Sequence, residues 1–209
     1  MDMMMSPNQG AAANRRSAGQ LDGSGNLSAT LAADRAFPVA VAELDRWTKT
    51  SRRMEIDLKQ LCECPEHLET VGLWIYNEWW SKRCDSPEIV LSQLHTHKKL
   101  DAVPYSVVAL AEREPVGSCC VIENDCIHRP QYAPWVAAVY VRPEFRRRRV
   151  ASMILQEAAS VAARAGVKCL FIDCLAATAP VYKKNGWAIH ERDVGDKDSV
   201  VMLREIDPA

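Results

Sequence analysis

Apolar and polar positions follow two different rhythms along this chain, and the rhythm changes at Met54. Before it, Met, Ala, Ser, Asn and Gly dominate as far as Thr30 without a sustained period. That composition predicts a disordered or weakly ordered N-terminal extension over residues 1–53. Within it, Val39, Val41 and Leu44 outline one short helix over 36–47. From Met54 the signals sharpen. Ile56, Leu58 and Leu61 predict a first strand. Pro65-Glu66 starts a helix to about Trp80, with Pro in the first turn. Ser86 as N-cap, Pro87 at the first helical position and Glu88 beside it open a second helix to about Leu100. Tyr105 to Ala111 and Val116 to Ile122 read as buried strands, joined through Glu112-Arg113-Glu114-Pro115 in a hairpin. Trp135 to Val141, preceded by Pro134, is another strand. Val150, Ile154, Leu155, Ala158, Ala159 and Ala162 recur at helical spacing over 147–165, and Gly166 supplies the stop. A strand over Val167 to Leu175 precedes a short helix over 178–185 that ends at Asn185-Gly186. Trp187 to Glu191 and Ser199 to Arg204 are closing strands. The order is β-α-α-β-β-β-α-β-α-β-β, which predicts an α/β protein with a mixed sheet.

Composition narrows the class. The 209 residues suffice for one domain of roughly 150 residues plus the extension. No apolar run approaches the ~20 residues needed to cross a bilayer. Arg15-Arg16 is followed by small and polar residues rather than a secretory apolar region. A cytoplasmic protein with no membrane partner is expected. The net charge is −1, whereas a protein that coats nucleic acid is far more basic. Without a signal peptide, the eight cysteines are not expected to form a disulfide framework. Cys62, Cys64 and His67, and Cys126 with His128, lack paired C-x-x-C spacing, so no metal site is expected. Cys119, Cys120, Cys169 and Cys174 lie in apolar runs, where a free thiol packs as a small hydrophobe.

Positive charge is concentrated at 142–149. There, Val139-Tyr140-Val141 leads into Arg142-Pro143-Glu144-Phe145, four arginines, and the apolar helix that begins near Val150. A strand that feeds a turn at a helix N-terminus presents unpaired N–H groups and the positive end of a dipole. Such a terminus binds phosphate, and arginines strengthen the hold. The plain alternative is a solvated basic helix start. A nucleic-acid partner is not expected, because only Phe145 lies beside the basic run and no stacking platform is evident.

In this order, these motifs resemble the GNAT superfamily of N-acetyltransferases over about residues 54–206. The family's pyrophosphate loop reads Arg/Gln-x-x-Gly-x-Gly/Ala, and Arg146, Arg147, Arg148, Arg149, Val150 and Ala151 fill it. Ala179-Pro180-Val181-Tyr182-Lys183-Lys184-Asn185-Gly186-Trp187 matches the second signature, a short helix with Tyr followed by Gly-aromatic. The resemblance implies a GNAT-like mixed, mostly antiparallel sheet with a splayed centre, flanked by about four helices, and an acetyltransferase domain over 54–209. It implies an acyltransferase that moves an acetyl group from acetyl-CoA, without a metal, to a primary amine of a small molecule or a peptide N-terminus. Transfer would be direct, in a ternary complex. The loop N–H groups and Arg146, Arg147, Arg148, Arg149, Val150 and Ala151 would hold the cosubstrate. Val139, Tyr140 and Val141 would line its pantetheine arm, and an N–H of Tyr140 or Val141 would polarise the thioester carbonyl. Tyr182 matches the general acid. Arg149 stands where the family usually has Gly; an Arg can adopt helical dihedral angles there, so the fold tolerates it, with the cosubstrate held slightly differently or more weakly.

The base is less clearly marked. Many relatives carry a carboxylate on the strand that here spans Trp135 to Val141, and this chain has none. Glu123 and Asp125, just after the preceding strand, are the expected substitutes, with His128 and Asp173 as further candidates. Trp79, Trp80 and Trp135 are expected to frame the acceptor, because aromatic walls beside a carboxylate suit a cationic amine. Core packing at helical spacing competes with that role for Trp74, Ile75 and Trp79, and adjacent residues cannot share one helix face. Arg149 and the missing strand carboxylate leave a second reading, a weak or inactive member acting as a CoA-binding sensor or partner-binding module. The assembly expected is a monomer or a homodimer.

Overall fold

The computed structural model describes residues 55–195 and 197–207, so the helix read over 36–47 lies outside them. Seven strands form one sheet: β1 (Ile56–Gln60), β2 (Tyr105–Ala111), β3 (Glu114–Ile122), β4 (Trp135–Val141), β5 (Cys169–Leu175), β6 (Ala188–Arg192) and β7 (Ser199–Glu205). Among the described residues, four α-helices accompany them: α1 (Leu68–Ile75), α2 (Glu88–Leu94), α3 (Val150–Arg164) and α4 (Ala179–Lys183). The sheet order is β1-β2-β3-β4-β5-β7-β6. Every neighbouring pair is antiparallel except β4 and β5, which are parallel and in register only at Trp135 and Phe171. The sheet is therefore two antiparallel halves joined at one point, the splayed GNAT-like centre the sequence implied.

Local chemistry corrects several boundaries. The single helix expected from Pro65 to Trp80 is three pieces: a 3-10 turn at Pro65–His67, then α1, then a π-helical turn at Tyr76–Trp80. Leu61, expected in the first strand, opens a 3-10 turn instead, where the Gln60 N–H donates to Glu63 Oε2 at 2.8 Å. The second helix stops at Leu94, and the Thr96 hydroxyl bonds the Gln93 carbonyl at 2.7 Å. Such side-chain bonds to backbone compete with further helical turns. The β2–β3 connection is shorter than expected. Only Glu112 and Arg113 lie outside the ladder, with φ of 49° and 71°, as a two-residue turn matched to strand twist requires. Pro115 lies within β3, where the register shifts and a missing N–H is tolerated.

The sheet is covered on both sides, so all seven residues of β2 are buried. One face packs Val107, Val116 and Leu170 under Ile154, Leu155 and Ala158 of α3. The other packs Val108, Trp135 and Val201 under α1 and α2. Small residues bring α3 close to the strands. A Cβ on Gly117 would lie 2.8 Å from the Tyr140 carbonyl oxygen and 2.9 Å from Ile154 Cδ1. Gly117→Ala should therefore destabilise the fold by about 1–3 kcal/mol, read as a lower urea midpoint with an unchanged slope.

Candidate active site

The split between β4 and β5 opens beside an irregularity in β4. Ser118 pairs with Tyr140 and Cys120 with Ala137, so Ala138 and Val139 stand opposite Cys119 alone. Ala138 takes a φ of 49°. This is a bulge, which displaces backbone from the ladder and re-aims it. The sequence reading placed the polarising N–H at Tyr140 or Val141. Those two are back in register with Ser118 and Gly117, and the displaced backbone is at Ala138 and Val139. The small pair Ala137-Ala138 among bulky strand residues was the available signal.

β4 runs through Arg142 into the arginine loop. Arg147 and Arg149 have φ of 60° and 66°. The expectation of helical angles at Arg149 is thus corrected. It caps α3 from the left-handed region, where Gly sits without strain and a Cβ costs about 1–2 kcal/mol. Alternating left- and right-handed residues turn successive N–H groups toward one side, which forms an anion nest. The Met153 N–H donates to the Arg149 carbonyl at 3.0 Å. The N–H groups of Val150, Ala151 and Ser152 precede that bond and stay available. The arginines divide by role. Arg146 Nε donates to the Val141 carbonyl at 3.0 Å, while the Arg142 and Arg148 guanidiniums lie 5.6 and 5.8 Å from the Phe145 ring centre. Arg147 and Arg149 are exposed at the same turn.

The cavity in the split is lined by Val136 to Val139 of β4 and Ile172 to Leu175 of β5, with Trp79, Asp125, Thr178 and Tyr182 closing it. Strand alternation divides it by face. Val136, Ile172, Cys174 and Tyr182 pack on the α3 side. Ala137, Ala138, Phe171 and Trp79 pack on the α1 side, and Asp173, between Ile172 and Cys174, points the way Phe171 does. Tyr182 is half-buried, and its ring meets Trp187 edge-on at 6.3 Å. Burial pushes its phenol well above the ordinary value. Burial likewise pushes the Cys174 thiol to about 11, against a hydrogen bond with Thr178. Cys174 is therefore a protonated wall residue and not a nucleophile.

Asp125 is 3% exposed and Asp173 7% exposed. Burial first, and the charge of Asp173 second, raise the Asp125 carboxyl well above the carboxylate range. The Ser199 hydroxyl donates to Asp173 Oδ1 at 2.5 Å. Of the other predicted residues, Glu123 is exposed and does not line the cavity. Trp79 reaches the cavity from the π-helical turn, a distortion frequent at functional sites. Trp80 packs on the α1-side core and is not among the lining residues. Trp135 has no exposed surface, and its indole N–H donates to the Tyr132 carbonyl at 2.6 Å. It anchors the closed end of the split, and the acceptor-framing role expected of it has no surface to act through.

Sequence reasoning missed a clasp over the β3–β4 loop. The Arg129 guanidinium bonds Glu191 Oε2 at 2.6 Å, and the Tyr132 hydroxyl donates to Glu191 Oε1. Tyr132 also stacks on Phe171 with ring centres 4.6 Å apart. The loop that carries Asp125 is thereby tied to β6 and β5. Only charge and aromatic content marked these positions in the sequence, and their pairing is set by the tertiary fold.

The sequence profile of the acetyltransferase (GNAT) family matches residues 64–187. The chain belongs to that family and is an acetyltransferase by fold and profile. Solved structures agree on the fold. A GNAT acetyltransferase from Streptococcus pneumoniae superposes with a TM-score of 0.57 at 13% identity, covering 73% of this chain and 100% of that one. An aminoglycoside 6'-N-acetyltransferase complexed with coenzyme A gives 0.55 at 17% identity, over 75% and 99%. The PaiA N-acetyltransferase from Thermoplasma acidophilum, in complex with coenzyme A, gives 0.54 at 19% identity, over 73% and 99%. No curated protein matches the chain. Among the described residues, no helix is long and apolar enough to cross a membrane.

The left-handed cap yields a direct test. Arg149→Gly should raise stability by about 1 kcal/mol, measured by urea denaturation. CoA affinity, measured by calorimetry, should hold or improve. A large loss of affinity would show that the Arg149 side chain itself holds phosphate.

Proposed function

We propose that this protein is an acetyl-CoA-dependent N-acetyltransferase that transfers directly to a primary amine in a ternary complex. One observation carries the reading: Tyr182, from the α3 side, and Asp125, from the β3–β4 loop, line the same cavity beside the bulge of β4. The thioester carbonyl belongs at the bulge, where displaced N–H groups oppose the negative charge that develops on oxygen. The arginine loop, beyond the C-terminal end of the same strand, supplies an anion nest, a fit for a pyrophosphate. The acceptor enters from the α1 side, past Trp79.

Each proton then has a place to go. Asp125 takes one from the entering ammonium and leaves a neutral amine. Its raised affinity for protons makes it a stronger base than an exposed carboxylate and brings it closer to working pH. Tyr182 gives its hydroxyl proton to the departing sulfur. An exposed thiol has a pKa of about 8.5 against about 10 for phenol, so the transfer is uphill in water. In a dry cavity burial penalises both anions, and the step exchanges one buried anion for another. The proton shed by the acylated nitrogen restores the tyrosine. Asp125 supplies the carboxylate that β4 lacks, which weighs against the sensor reading.

Calorimetric titration of the full chain with acetyl-CoA, with thiol release followed over an amine panel, tests the function. Binding with release supports it, binding without release from any amine favours a CoA sensor, and no binding removes it. Tyr182→Phe should lower kcat by about 10²-fold or more while leaving the CoA Kd nearly unchanged. Asp125→Asn should abolish the rising acid limb of the kcat/KM profile. It should also change stability with a definite sign. A carboxyl whose folded pKa is raised contributes its stability below its unfolded pKa and loses it as pH climbs toward the folded value. The variant should therefore gain stability over wild type progressively above about pH 4, measured as urea midpoints across pH.

A further inference from the structure

Transfer needs one base, yet the cavity holds two carboxylates. Asp125 comes from the β3–β4 loop and Asp173 from β5, and the charge of Asp173 is felt at Asp125. Asp125 is 3% exposed and Asp173 7% exposed, and both line the cavity. Both carboxyls are thus buried at the wall of one space, where a cation from outside can meet them. Among the described residues, no lysine, arginine or histidine lines the cavity. The nearby Arg129 is committed to Glu191 outside the lining. Trp79 adds an indole wall on the side from which the two acids approach.

This combination discriminates between amines. An ammonium is drawn to paired carboxylates and to an indole face. A carboxylate on the same molecule meets like charge in a poorly solvated space and finds no cation to pair with. We propose that the acceptor is a small primary amine bearing no carboxylate, of the alkylamine, arylalkylamine or amino-sugar class, whose ammonium is held by Asp173 while Asp125 removes its proton. The inference rests on the transferase reading and deepens it. The balance is simple: one N–H bond breaks, one Asp125 O–H bond forms, and the electron pair stays on nitrogen. Asp173 remains the counter-charge, positioned by Ser199.

Affinity separates this class from the reading beneath it, because it needs no turnover. The full chain is saturated with CoA and titrated calorimetrically with matched pairs: pentylamine against norleucine, and phenethylamine against phenylalanine. Phenylalanine amide serves as the control with the carboxylate neutralised. The amines and the amide should bind, and each amino acid should bind at least about thirtyfold more weakly than its partner. Asp173→Asn should weaken amine binding by about tenfold or more while CoA affinity, which also reports folding, stays unchanged. Equal or tighter binding of the amino acids, or no binding of either amine, overturns the proposed class. Unchanged amine affinity in a folded Asp173→Asn variant overturns the role of Asp173. Failure of CoA itself to bind would instead sink the transferase reading.

Discussion

The structure depends on a sheet that is deliberately incomplete. β4 and β5 run parallel but are in register at one position, Trp135 with Phe171. Backbone N–H and C=O groups beyond that point have no strand partner across the gap, and buried groups of this kind must be satisfied somehow. An internal edge therefore favours an extended ligand bearing amides of its own, as the pantetheine arm does. The closed end is fixed by packing. Trp135, Phe171 and Tyr132 form an aromatic knot with ring centres 4.6 to 6.4 Å apart. The open end is bounded by the bulge in β4 and by the side chains that line the cavity. Asp125, Asp173 and Tyr182 all line that gap.

How much of this was readable in advance follows from the range of each interaction. Element order came from local periodicity, and it survived because apolar spacing in α3 or β2 reports burial directly. The arginine loop and Tyr182 could be singled out as candidates because the motif carries both chemistry and context in a few residues. The bulge could not, because it arises from pairing β3 against β4 across many residues. The left-handed angle at Arg149 was missed because an arginine gives no sign of it, where a glycine would have. Asp125 was visible only as one acid of two in a loop. Its burial, and the exposure of Glu123, favour it of the two. Asp173 appeared as a polar residue within an apolar strand, a pattern that hydrogen bonding alone explains equally well until Ser199 and the cavity are both seen.

Part of the backbone strain lies along the proposed cosubstrate site. Seven non-glycine residues among those described have positive φ, and Ala138, Arg147 and Arg149 are three of them. All three lie in β4 or the loop that follows. Residues in such conformations persist only where surrounding contacts determine them. Here Arg146 on the Val141 carbonyl, and Arg148 against Phe145, brace the loop from either side. Two of the four arginines of the loop thus also help to hold the turn.

The same logic governs the acids. Burying Asp125 beside Asp173 costs stability at neutral pH, because both desolvation and like charge oppose ionisation. A core under selection for stability alone would replace one of them with an apolar residue. The clasp of Arg129 and Tyr132 on Glu191 holds the loop in place against that cost. It does so from outside the cavity, where a cation neutralises Glu191 without entering the site. That separation keeps the positive charge that fixes the loop away from the two carboxyls that line the cavity. Were Arg129 inside the cavity, it would lower the proton affinity of Asp125 and repel an ammonium at once. The placement of one salt bridge therefore preserves both the basicity of the site and its polarity.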